Sequence, residues 1–202
     1  MAFEHNAQQR GGGIGAIGDG TASVLLTDKL HDVSQLFDPS HRGRGFTILR
    51  HPFARELSKY QYLFSTRAIP ETLTFLDWIK TSRHNHLVRV LTNDPIKPLT
   101  DQHVDAAKEI IRRKLLVGFA DNLHESFRRF AQYFRWPVDQ KHMDCVQLWL
   151  NHVGHPVPSD VEAEALAQTQ WADLELYEYA LSIFEDQTAL IEDAQAPQIR
   201  TA

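Results

Sequence analysis

The chain has 202 residues, 43% apolar and 23% charged, a balance that suits one globular domain and excludes a wholly disordered chain. Its formal net charge of −5 excludes a broad electrostatic grip on nucleic acid, so any anion must be held by a local pocket. Cys145 is the single cysteine, which removes an intrachain disulfide and a cysteine-based zinc site.

No run of about 18 apolar residues occurs, so no membrane span is expected. The N-terminus "MAFEHNAQQR" lacks the charged-then-apolar order of a secretory signal, and a soluble, cytoplasmic chain is expected as written. Residues 1–20, polar and then glycine-rich, read as a flexible leader. A single domain is expected over 21–190, followed by a polar, frayed tail over 191–202.

In chain order, "ASVLLTDKL" suits either a short strand or the start of a helix. "FTIL", Phe46 to Leu49, is continuous and apolar, as a strand covered on both faces should be. A helix follows with Pro52 in its first turn and Phe53, Leu57, Tyr60 and Phe64 at helical spacing. A second helix is expected from about Pro70, burying Leu73, Leu76 and Ile79. Thr100 reads as an N-cap ahead of Val104, Ala107, Ile110 and Ile111.

"LLVGFA", Leu115 to Ala120, reads as another buried strand. Asn122 and Glu125 have capping-box spacing and open a helix with Leu123, Phe127, Phe130 and Phe134 inward. After "RWP" a loosened stretch, "NHVGHPVPSD", is expected as a loop, and a last helix carries Leu174, Tyr177, Ala180, Leu181 and Phe184. Alternation of strands and helices gives an α/β fold.

Gly13, Gly15 and Gly18 form a G-x-G-x-x-G, but no strand feeds it, and a floppy leader is the preferred reading. His84 and His86, and His152 and His155, have spacings a metal could use. No carboxylate clusters beside them, so they read as surface or loop histidines, with no metal expected.

The stretch "FTILRHPFARELSKYQYL" is of another kind. Its strand delivers Arg50 to the carboxyl end of a parallel sheet, where open α/β sheets bind ligands. The following helix turns free N–H groups toward the same point. Ser58 lies eight residues after Arg50, and a guanidinium and a hydroxyl together suit a terminal phosphate. A surface salt bridge for Arg50 and an ordinary helix position for Ser58 fit the spacing equally well.

The same stretch resembles the 3′-phosphate-binding motif of sulfotransferases that use 3′-phosphoadenosine 5′-phosphosulfate (PAPS). It is most similar to the carbohydrate group that includes the heparan-sulfate 2-O enzymes. Arg50, Pro52, Arg55, Ser58, Tyr60 and Tyr62 fall on the pattern strand-R-[DN]-P-x-x-R-x-x-S-x-Y-x-Y. "NHLVRVLTNDPIKPLTDQHVDAAKEIIRRKLLVGFADNLHESFRRFAQYFRW" and "ADLELYEYALSIF" resemble the family's later segments, so the likeness runs from Phe46 to about Phe184.

The resemblance implies a P-loop-NTPase-like sulfotransferase fold, a parallel sheet flanked by helices, with a truncated or diverged N-terminal side. It implies PAPS as co-substrate and transfer of a sulfuryl group to a hydroxyl, a carbohydrate acceptor. Arg50 and Ser58 would hold the 3′-phosphate, with Arg55 and Arg89 in the same region. The alternative is a non-catalytic relative that binds adenosine 3′,5′-bisphosphate or acts as an interaction module. His51 stands where the family has Asp or Asn, and Gly18 stands where the lysine of its phosphosulfate loop would be. The catalytic base is not assigned. The Golgi lumen would be the implied compartment if an N-terminal anchor preceded this chain.

Overall fold

The computed structural model describes residues 25–27, 29–34, 44–137, 139–150 and 157–193. The chain divides into two compact units, Met1–Gly43 and Arg44–Ala202. In the first, Leu25 to Thr27 belong to no element and Leu30–Ser34 form a short helix, α1. The glycine pattern at 13–18, His152, His155 and the tail beyond Asp193 lie outside the described residues.

The second unit is α/β. Strand β1 (Gly45–Leu49) leads into α2 (Pro52–Ser65), then α3 (Phe75–Thr81), α4 (His86–Thr92) and α5 (Asp101–Lys114). Strand β2 (Leu115–Phe119) follows, with a 3₁₀ turn (Ala120–Asn122) and α6 (Leu123–Phe134). The chain continues through α7 (Gln140–Leu150), α8 (Asp160–Thr169), α9 (Trp171–Asp186) and α10 (Thr188–Asp193). The two strands pair in parallel, Gly45 opposite Leu115 and Leu49 opposite Phe119, so both end at the same edge.

Alternation along β2 sorts its side chains between two helical layers. Phe130 of α6 and Ile191 cluster with Leu116, while Phe119 meets Tyr177 and Phe184 of α9 edge-on. On the α6 side Gly118 is required by space, because an added Cβ would lie 2.6 Å from Phe130 Cζ and 2.8 Å from Ser126 Cβ. The Ser126 hydroxyl accepts from the Phe119 N–H at 2.8 Å and donates to the Asn122 carbonyl at 2.7 Å, clamping the strand end to the helix. Arg129, 7% exposed, donates to the Phe184 carbonyl and lies over the Phe184 ring, joining α6 to α9.

The outer edge of β2 is closed by a side chain. Gln187 accepts from the Val117 N–H at 2.9 Å and donates to the Leu115 carbonyl at 2.8 Å, as a neighbouring strand would. A second cluster, Phe53, Ile79, Ala165 and Leu166, joins α2, α3 and α8.

Several boundaries differ from the expected ones. The helix expected from Pro70 starts at Phe75, because Thr74 accepts the Asp77 N–H and caps it there, leaving Leu73 outside. Asn122 is an N-cap in position only and makes no side-chain cap bond. Its expected partner Glu125 instead holds Arg128 and Arg129. Helices α7 and α8 flank the stretch expected as a loop, of which residues 151–156 lie outside the described residues and 157–159 belong to no element. Phe64 and Leu181, expected inward, are 42% and 45% exposed.

Candidate functional site

Parallel pairing in this register sets two strand-to-helix turns side by side at the carboxyl edge of the sheet. One carries Arg50 and His51 into α2, and the other carries Ala120 to Asn122 into α6. Arg50 is half-buried, and its Nε is fully buried with no hydrogen-bond partner among the described residues. A guanidinium N–H withdrawn from water and left without an acceptor is costly in a finished protein, and it suits an anion arriving at that edge.

His51 is the N-cap of α2. Its Nδ1 accepts from the Phe53 N–H at 3.2 Å, and Pro52 fills the first helical position, where a missing N–H costs nothing. The His51 ring meets Tyr177 of α9 edge-on, with centroids 5.2 Å apart. Burial is the main cause that lowers the His51 pKa below its ordinary 6.5; Asp121 and Glu178 oppose it and Arg55 adds to it. Burial, and then the Asp121 carboxylate to which its hydroxyl is bonded, push the Tyr177 phenol up to about 12, so it stays protonated. The edge thus presents one guanidinium, a neutral imidazole, a neutral phenol and a carboxylate.

Arg55 points elsewhere. Its Nη1 donates to Asp173 at 2.6 Å, its Nη2 to Glu56 at 3.0 Å and to Gln170 at 3.2 Å. Asp173 and Glu56 are 0% and 2% exposed, so the guanidinium is the counter-ion of two buried carboxylates. Asp173 also accepts the Leu87 and Val88 N–H groups at 3.0 and 2.9 Å, capping α4. In return Asn85, in the left-handed region at φ 53°, accepts the Ala172 and Asp173 N–H groups at 3.0 and 3.2 Å and caps α9. Arg55 therefore has structural partners where the resemblance implies a cofactor contact.

Ser58 is exposed, about 9 Å along the α2 axis from Pro52 at 1.5 Å per residue. It shares a helix face with Arg55, three residues before it, and meets a ligand at the Arg50 turn only if that ligand runs along α2. Arg89, also implied by the resemblance, donates to the carbonyls of His84, Asp94 and Lys97 and clamps the loop after α4. Tyr60 donates to the Leu73 carbonyl at 2.8 Å, and Tyr62 is exposed. Among the sequence candidates, the strand end thus holds Arg50, with His51 beside it, while Arg55 and Arg89 are directed into the fold.

Sequence reasoning passed over Asp121 and Tyr177. Asp121 had a usable signal, since it stands two residues past the second strand as His51 stands two past the first. Tyr177 had none beyond helical spacing. Among the described residues no group of three metal-ligating side chains occurs and no helix is long and apolar enough to cross a membrane.

The unit is an α/β domain with its candidate site at the carboxyl edge of a parallel strand pair. No family model, no curated protein and no solved structure matches the chain.

Proposed function

We propose that the carboxyl edge of the sheet binds the 3′-phosphate of PAPS, and that the protein serves sulfuryl transfer from PAPS to a hydroxyl acceptor, a carbohydrate. One observation carries the reading: the buried Arg50 Nε has no acceptor among the described residues, at the end of a parallel strand and beside the start of α2. Arg50 supplies charge and forked donors, and Ser58 supplies a neutral donor to a nucleotide lying along α2. The likeness of Phe46 to Phe184 to the carbohydrate sulfotransferases supports the same chemistry. Arg55 orients α2 by anchoring it to Asp173.

A second reading, binding of adenosine 3′,5′-bisphosphate without transfer, is favoured by His51. Its Nδ1 lone pair is occupied by the Phe53 N–H, so Nε2 carries the proton and this imidazole cannot act as a base. Isothermal titration with adenosine 3′,5′-bisphosphate tests the shared part of both readings. Binding is expected, weakened about tenfold to a hundredfold in Arg50→Ala, the worth of a charge-assisted hydrogen bond of roughly 1.5–3 kcal/mol. No binding by the intact chain overturns both readings. Transfer of labelled sulfate from PAPS to a glycan panel then selects the first, and binding without transfer selects the second.

A further inference from the structure

We infer that His51 is a pH-sensitive latch on the β1–α2 turn, holding the Phe53 N–H through Nδ1 only while that nitrogen carries no proton. The tautomer follows from the bond. An imidazole nitrogen that accepts has no hydrogen, so the neutral ring carries its proton on Nε2. A second proton must go on Nδ1, which sets two N–H groups against each other at 3.2 Å and removes the cap of α2. Most N-caps are Ser, Thr, Asp or Asn, whose side-chain oxygen accepts throughout the physiological pH range. Histidine is the capping residue that loses its acceptor near neutrality.

The surroundings set the balance. Arg55 faces the ring from α2, Asp121 from the turn after β2, and Tyr177 and Glu178 from α9. The two carboxylates favour the imidazolium, while burial and the Arg55 charge oppose it, and burial is the largest of these influences. The ring is therefore held neutral until acid outweighs its burial. The latch acts on the turn that carries Arg50, the residue immediately before His51. It goes beyond the proposed function, because it stands on contacts within the chain and needs no ligand at Arg50.

The experiment uses the full chain without ligand. NMR follows the His51 ring and the Phe53 amide between about pH 8 and about pH 5, a range that spans histidine titration. The Phe53 protection factor, corrected for intrinsic exchange, is expected to fall about fivefold, the worth of a typical cap, with the midpoint of the His51 titration. In His51→Asn, which keeps an accepting oxygen and does not titrate, Phe53 protection is expected to stay level over the same range. A native Phe53 protection that ignores the His51 titration overturns the latch, as does an equal acid-induced fall in His51→Asn. Failure of nucleotide binding refutes the Arg50 reading and leaves these amide measurements to decide the latch.

Discussion

Replacing Asp173 by Ala removes the acceptor that joins α2, α4 and α9. Three donors lose a partner at once: Arg55 Nη1 at 2.6 Å, the Leu87 N–H at 3.0 Å and the Val88 N–H at 2.9 Å. Breaking a buried ion pair from one side costs about 3–5 kcal/mol. Arg55 is 24% exposed and keeps Glu56 and Gln170, which places its share toward the lower limit. Val88 is fully buried, and an unpaired amide there adds about 1 kcal/mol or more. The expected loss is about 3–4 kcal/mol, a large part of the stability of an ordinary domain.

Urea denaturation followed by circular dichroism measures it. At a slope of about 2 kcal/mol per M the midpoint falls by about 1.5–2 M. Arg55→Ala should cost roughly 2–3 kcal/mol, and the double mutant should cost less than the sum, since both remove one bond. A loss below about 1 kcal/mol for Asp173→Ala would refute the reasoning. So would an Arg55→Ala variant of native stability that no longer binds adenosine 3′,5′-bisphosphate, which would return Arg55 to the ligand.

Gly118→Ala pushes a Cβ to within 2.6 Å of Phe130 Cζ and should cost about 1–3 kcal/mol, seen as a drop of roughly 2–10 °C in thermal denaturation. Gln187→Ala strips the Val117 N–H and the Leu115 carbonyl of partners on the open side of β2, for an expected loss of about 1–3 kcal/mol in urea. The depressed pKa of His51 means that the unfolded chain takes up the proton first. Its contribution is complete above pH 6.5 and lost as pH falls through the lower folded value, and His51→Asn should flatten that part of the stability profile. Glu125, drawn down to about 2 chiefly by its bond from Arg128, contributes above pH 4.5 and loses that contribution toward pH 2, a loss that Glu125→Gln should remove.

Both strands were legible as short apolar runs, β1 over "FTIL" and β2 one residue shorter than "LLVGFA", but only β2 is covered on both faces, since Ile48 of β1 is 45% exposed. Thr100 was legible for the same local reason, a capping residue just ahead of an apolar helical stripe. The Asn122–Glu125 spacing misled, because two arginines one turn further on compete for the same carboxylate. Two partners of Arg55, Gln170 and Asp173, lie 115 and 118 residues away, and no spacing rule reaches that far. The position of Arg50 could be inferred from topology, since a parallel strand always offers its carboxyl end. What its guanidinium touches depends on packing that local patterns do not encode. His51 was legible only as a departure from the Asp or Asn of the resembling motif, and its capping role was not, because histidine is outside the usual capping set.

Asn85 and Asp173 cap each other's helices, and this exchange has a consequence for how the unit opens. Neither helix start keeps its amides paired once the other leaves, so α4 cannot fray while α9 holds, nor α9 while α4 holds. The two behave as one cooperative block, with Arg55 carrying α2 into it. The first turn of α2 carries the Arg50 edge, so that edge is braced by an element more than a hundred residues downstream. Loss of the chain from Trp171 onward would release Arg55, and with it the brace on the Arg50 turn, while both paired strands remained present.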